Sequence, residues 1–134
     1  MKAHARTLMT EHVLAARPDQ SLAEVARALV AGEHGGAPVV DEDRRVLGFL
    51  TEADLVSKML TGDAERRMVR EVMAAPALVV DEFTPIEEVM SLLREAEVNH
   101  LPVVRQGKLV GIITPHDVLR YLVEHVLEIP PEDA

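Results

Sequence analysis

The stretch GIITPHDV, residues 111–118, decides how this chain is to be read, because nearly the same string, GFLTEADL, stands at residues 48–55. Each runs glycine, two apolar residues, threonine, and an aspartate three places on. Thr-x-x-Asp ahead of an apolar helix is a capping arrangement. The threonine hydroxyl accepts an otherwise unpaired N–H, and the carboxylate sits favourably near the positive end of the helix. Capping does not require the glycine. The string also leads from a strand end into a helix N-terminus, where unpaired N–H groups favour phosphate. On these residues alone, a cap and a binding site both stand.

Working outward, other landmarks repeat in the same order. Met9 matches Met73, Ser21 matches Thr84, and Pro38 of APVV matches Pro102 of LPVV, at offsets of 63 or 64 residues. Gly48, Thr51 and Asp54 match Gly111, Thr114 and Asp117 at 63. The chain therefore reads as two copies of one unit, residues 7–60 and 70–127, joined by the polar segment TGDAERRM at 61–68.

Each copy opens on a short apolar segment, Val13-Leu14 or Leu78-Val79-Val80. A helix follows, with capping boxes expected at Ser21-x-x-Glu24 and Thr84-Pro85-x-Glu87, and Pro85 in the first helical position. Leu22, Val25, Ala26, Leu29 and Val30, and later Ile86, Val89, Met90 and Leu93, recur at helical spacing. Two strands come next. Residues 38–40 pair with 46–50 across an acidic turn, and 101–104 with 109–113 across Arg105-Gln106-Gly107-Lys108. A second helix starts at Thr51 or Thr114, the later one with a stripe of Leu119, Leu122, Val123 and Val126. The tail 129–134, with Pro130-Pro131, is expected to fray. The unit is β-α-β-β-α, twice. One copy is marginal alone, so the two are expected to pack sheet on sheet around a shared core, in an α+β fold with pseudo-twofold symmetry.

Composition narrows the function. Among 134 residues, 14 are basic and 23 acidic, which argues against a general affinity for nucleic-acid backbones. Phe49, Phe83 and Tyr121 are the whole aromatic complement, too few for base stacking along a strand. With no cysteine, disulfides and thiolate metal sites are impossible. No signal-peptide run or membrane span is visible, so a soluble cytoplasmic protein is expected. None of the six histidines lies three or four residues from another, so no metal site is expected.

The ordered motifs LMT and EVMA, GAPVV and NHLPVV, GFLTEAD and GIITPHD closely resemble the cystathionine-β-synthase (CBS) domain in tandem form, over about residues 6–124. The resemblance implies a disc-like module, the CBS pair or Bateman module, with two clefts related by pseudo-symmetry. Such clefts bind adenosine-containing ligands: AMP, ADP, ATP or S-adenosylmethionine. By the same resemblance Asp54 and Asp117 would accept from ribose hydroxyls, and Thr51 and Thr114 would meet phosphate. Gly36 and Ala37, with Asn99, His100 and Leu101, would line the base. One cleft would join Thr114 and Asp117 to Thr10, Val13, Gly36 and Ala37. The other would join Thr51 and Asp54 to Ala74, Ala77, His100 and Leu101. With so few aromatics, aliphatic side chains are expected to sandwich the purine.

The clefts should differ. Glu52 beside Thr51 repels phosphate, whereas Pro115 holds the matching place and His116 can donate when charged. The Thr114/Asp117 cleft is therefore expected to bind more tightly. The reading is a sensor, not an enzyme, that relays ligand binding to an effector protein and pairs as a homodimer through its outer helices. A scaffold that binds nothing, or a nucleotide hydrolase, are the alternatives. The hydrolase lacks a carboxylate cluster near the threonines to act as base.

Overall fold

The computed structural model describes residues 3–11 and 13–127. The expected frayed tail lies outside the described residues. A one-turn helix, α1 (Ala5–Leu8), opens the chain. Then come α2 (Leu22–Gly32), β1 (Gly36–Val40), β2 (Val46–Thr51) and α3 (Glu52–Met59). After a 3-10 turn at Val69–Glu71 the second copy runs β3 (Val80–Asp81), α4 (Ile86–Glu95), β4 (Leu101–Arg105), β5 (Lys108–Ile113) and α5 (Pro115–His125). The α+β class and the doubled order are as the sequence implies.

Both hairpins form, in the same register with the same irregularity: the pairing slips between Val39 and Val40 and between Val103 and Val104. Their turns differ. The second is a two-residue loop with φ of 51° at Gln106 and 83° at Gly107, the mirror-image turn that suits a strand pair's twist. The first is held by the Asp41 carboxylate, which accepts from the N–H groups of Asp43 and Arg45, both at 2.9 Å. The acidic turn is thus a bonded turn.

Three expectations need correction. The opening strand of copy one is a single bridge: Ala16 pairs in parallel with Val39, and its N–H donates to Pro38 O at 2.8 Å. The capping box at Thr84 does not form. Helix α4 starts at Ile86 with Pro85 as its cap, because Thr84 N–H turns back to Asp81 O at 3.0 Å. Ser21 does cap α2, accepting from Glu24 N–H at 3.1 Å.

The third correction concerns the core. The copies do not share one. Leu22, Val25, Leu29, Val39 and Leu50 form one cluster, and Val80, Ile86, Val89, Leu101, Val103 and Ile113 another. Each is completed by the opening segment of the other copy. Ala5 and Leu8 of α1 lie in the second cluster, and Val69 in the first. Backbone bonds fix the exchange: Ala5 N–H donates to Thr84 O, Ile86 N–H to Ala3 O, and Val69 N–H to Gln20 O. The sheets meet at their hairpin ends, where Arg45 bridges Lys108. Several stripe residues stay outside both clusters. Val30 is 79% exposed, Leu119 57% and Val123 53%, so the outer faces of α2 and α5 remain apolar and uncovered.

Candidate functional site

The exchange of opening segments builds two clefts, each walled by both copies. Residues 9–10 run from α1 across β5, with Thr10 and Ile112 exchanging N–H···O bonds of 2.9 and 3.0 Å. Ala74 does the same with Phe49 on β2, at 2.9 Å each way. These crossings explain the repeated glycine. A Cβ on Gly48 would stand 2.5 Å from Ala74 O, and one on Gly111 would stand 2.5 Å from the Met9 sulfur. Glycine is present because another segment passes directly over it.

The first cleft, about 280 Å³, opens at the start of α5. Thr10, Val13, Gly36, Thr114, His116 and Asp117 line it, together with Leu14, Glu33, His34, Gly35, His100, Ile112 and Arg120. Asp117 is its buried carboxylate, 4% exposed. One carboxylate oxygen accepts from Thr10 Oγ1 at 3.0 Å and from Arg120 Nη2 at 2.9 Å. The other accepts from Thr114 N–H at 2.8 Å and Thr114 Oγ1 at 3.0 Å. Four donors occupy all the lone-pair directions that a carboxylate offers.

The second cleft, about 600 Å³, opens at the start of α3. Thr51, Ala74, Ala77, Asn99 and His100 line it, with Gly35, Phe49, Glu52, Ala53, Pro76, Leu78, Glu97, Val98 and Pro102. Thr51 Oγ1 accepts from Asp54 N–H at 3.1 Å. The Asp54 carboxylate accepts no hydrogen bond among the described residues. Phe49 and His100 form a tilted pair, with centroids 5.1 Å apart and planes at 31°. An aromatic wall therefore stands where aliphatic walls alone were expected.

Most of the residues singled out in the sequence are brought together as grouped. Ala37 and Leu101 are fully buried, their side chains in the cores, and Asp54 is half-buried outside the lining of the larger cleft. Sequence reasoning missed Arg120, which i, i+3 spacing from Asp117 on one helix would have offered. It also missed Glu33 and Glu97, which follow α2 and α4 with φ of 56° and 53° and so turn into the two clefts.

His100 lines both clefts. A Cβ on Gly35 would lie 3.3 Å from its Nε2 and 3.9 Å from a Glu52 carboxylate oxygen, so the three residues converge. Burial holds the His100 imidazole below its ordinary pKa, and the Glu52 carboxylate pulls part of the way back. Among the described residues no three His, Asp or Glu side chains gather as metal ligands, and no helix is long and apolar enough to cross a membrane.

Comparisons agree with this geometry. Hypoxic response protein 1 of Mycobacterium tuberculosis is 30% identical over 125 residues, covering 92% of this chain and 87% of that protein. The crystal structure of that protein with two coordinated zinc ions superposes with a TM-score of 0.81 at 29% identity, over 90% of this chain and 99% of the other. The crystal structure of CBSX2 from Arabidopsis thaliana in complex with AMP superposes with a TM-score of 0.82 at 27% identity, over 91% and 97%. The CBS domain family matches residues 5–61 and again residues 69–124. The chain belongs to the CBS domain family, as a tandem pair of repeats.

Proposed function

We propose that this CBS pair is a regulatory module that senses an adenosine-containing ligand in its inter-repeat clefts and relays occupancy to a partner protein, without turning the ligand over. The observation that carries the reading is the double construction of the clefts: a helix N-terminus from one repeat faces the opening segment of the other. A ligand seated there touches both repeats, so it biases their relative placement by its differential affinity for two arrangements. The AMP complex of a neighbour at 27% identity supports the ligand class.

The site residues keep the roles given by the resemblance, with one refinement. Thr114, His116 and Arg120 face a ligand phosphate in the smaller cleft. A ribose diol reaches Asp117 only by displacing Thr10 or Arg120 from it. In the larger cleft the Asp54 carboxylate is free for a diol once the ligand draws it inward. We place the protein in the cytoplasm as a homodimer, with the exposed apolar faces of α2, α3 and α5 buried against a second copy. A mass in solution that stays monomeric at all concentrations would overturn the dimer.

The test is thermal unfolding with AMP, ADP, ATP and S-adenosylmethionine. A ligand at 100 times its dissociation constant adds about 2.7 kcal/mol, a shift of several degrees in a domain of this size. No shift with any of the four overturns the sensor reading. It leaves the scaffold reading, which the internally satisfied Asp117 favours.

A further inference from the structure

The larger cleft has a polarity that its helix N-terminus would not suggest. The backbone there is arranged as for an anion, with Thr51 capping α3. Yet Glu52, the first residue of α3, lines this cleft, and so does Glu97 at the end of α4. Neither carboxylate is paired with lysine or arginine among the described residues, and none of the residues lining the cleft is a lysine or arginine. His100, the remaining titratable group, is held towards its neutral form by burial.

The smaller cleft is the internal control. At the same offset of 63 or 64 residues, His34 stands where the larger cleft has Val98, His116 where it has Ala53, and Pro115 where it has Glu52. Glu33 lines the smaller cleft at the place where Glu97 lines the larger, so the contrast rests on the helix starts: Pro115, His116 and the Arg120 guanidinium in one cleft, the Glu52 carboxylate with the Phe49–His100 pair and no guanidinium in the other. The Phe49–His100 wall offers a purine a face to stack on, whatever the purine's ribose carries.

We infer that the cleft at Thr51 selects an adenosyl compound carrying positive charge at its 5′ position, a sulfonium or ammonium group, over a nucleotide carrying phosphate there. Glu52 stands where a 5′ substituent meets the α3 N-terminus, and it attracts a cation as strongly as it repels a phosphate. Glu97 adds a second carboxylate from the other repeat. The inference rests on the adenosine-sensor reading and adds the ligand class of one cleft.

The experiment uses the full chain with phenylalanine rings labelled for NMR. Only two phenylalanines exist, and Phe83 is engaged elsewhere, with His4 and Arg6, so the Phe49 ring reports the larger cleft. S-adenosylmethionine, uncharged 5′-methylthioadenosine and AMP are titrated in turn. The Phe49 signals are expected to respond to S-adenosylmethionine at about tenfold lower concentration than to AMP, with the uncharged compound between. In the double variant Glu52→Gln, Glu97→Gln the order is expected to collapse to within about twofold. AMP moving Phe49 at equal or lower concentration overturns the inference, as does a preference that survives in the double variant. Thermal stabilisation by any of these compounds without movement of Phe49 also overturns it, but leaves the sensor reading standing. Absence of both signals overturns the sensor reading itself.

Discussion

Thr10 and Ala74 occupy matching places in the two clefts, as do Arg120 and Ser57, and these two differences give Asp117 and Asp54 opposite situations. Asp117 is drawn into a closed set of four bonds because Thr10 and Arg120 reach it. Alanine offers no side-chain donor and the Ser57 hydroxyl makes no bond to it, so among the described residues the Asp54 carboxylate is left without a donor. The two Thr-x-x-Asp strings also differ in how they cap. At α3 the threonine side chain accepts from the aspartate N–H, and at α5 the aspartate carboxylate in addition accepts from the threonine N–H and hydroxyl. One motif thus serves fold maintenance in one repeat and leaves its acid available in the other. A repeated string is not a repeated role.

The largest expected effect tests this contrast directly. Asp117→Ala removes four bonds and leaves the part-buried Thr114 N–H unpaired, so it is expected to cost about 2–3 kcal/mol, whereas Asp54→Ala costs at most about 0.5 kcal/mol. Urea unfolding of the two variants measures the gap, and equal midpoints would remove the basis for treating the acids differently. Next come the glycines under the crossings. Gly48→Ala drives a Cβ into the Ala74 carbonyl, and about 1–3 kcal/mol of strain is expected. Gly111→Ala meets the Met9 side chain, whose sulfur can swing aside, so a smaller loss is expected, though Met9 Cβ at 3.0 Å limits the relief. A greater loss for Gly111→Ala would reverse the account of which crossing is rigid.

The smallest effect concerns the shared wall. The His100 pKa is lowered in the folded protein, so the unfolded chain binds more protons between the folded and unfolded values. Stability is therefore undiminished above the ordinary histidine value and falls as the pH drops through it towards the folded value. Thermal midpoints of the wild type and of His100→Gln, compared from pH 7.5 to 5, should converge or cross on the acid side. Parallel curves would show that burial of this imidazole carries no pH cost.

The repeat, the hairpins and the groups of residues around each cleft were legible in the sequence because they depend on local signals: capping residues, Pro-Val-Val strands and a fixed offset. What was not legible is non-local. No pattern in residues 3–8 announces that Ala5 and Leu8 finish the core of the other repeat. The stripe of α5 is plain in its spacing, but periodicity cannot say whether a partner within the chain covers it, and Leu119 and Val123 are exposed. Thr84 has the chemistry of a cap, yet its N–H is taken by Asp81 O and the helix begins two residues later. In the sequence Phe49 is one of two phenylalanines, and only its pairing with His100 makes it a cleft wall.

The crossed opening segments also set a timetable for synthesis. A chain emerging from its N-terminus releases α1 first, but the surface that α1 covers is not complete until β5 has followed, about a hundred residues later. The first repeat likewise waits for Val69. Neither half finishes on its own residues: the first core closes once residue 69 has emerged, and the second, which holds α1, only with β5.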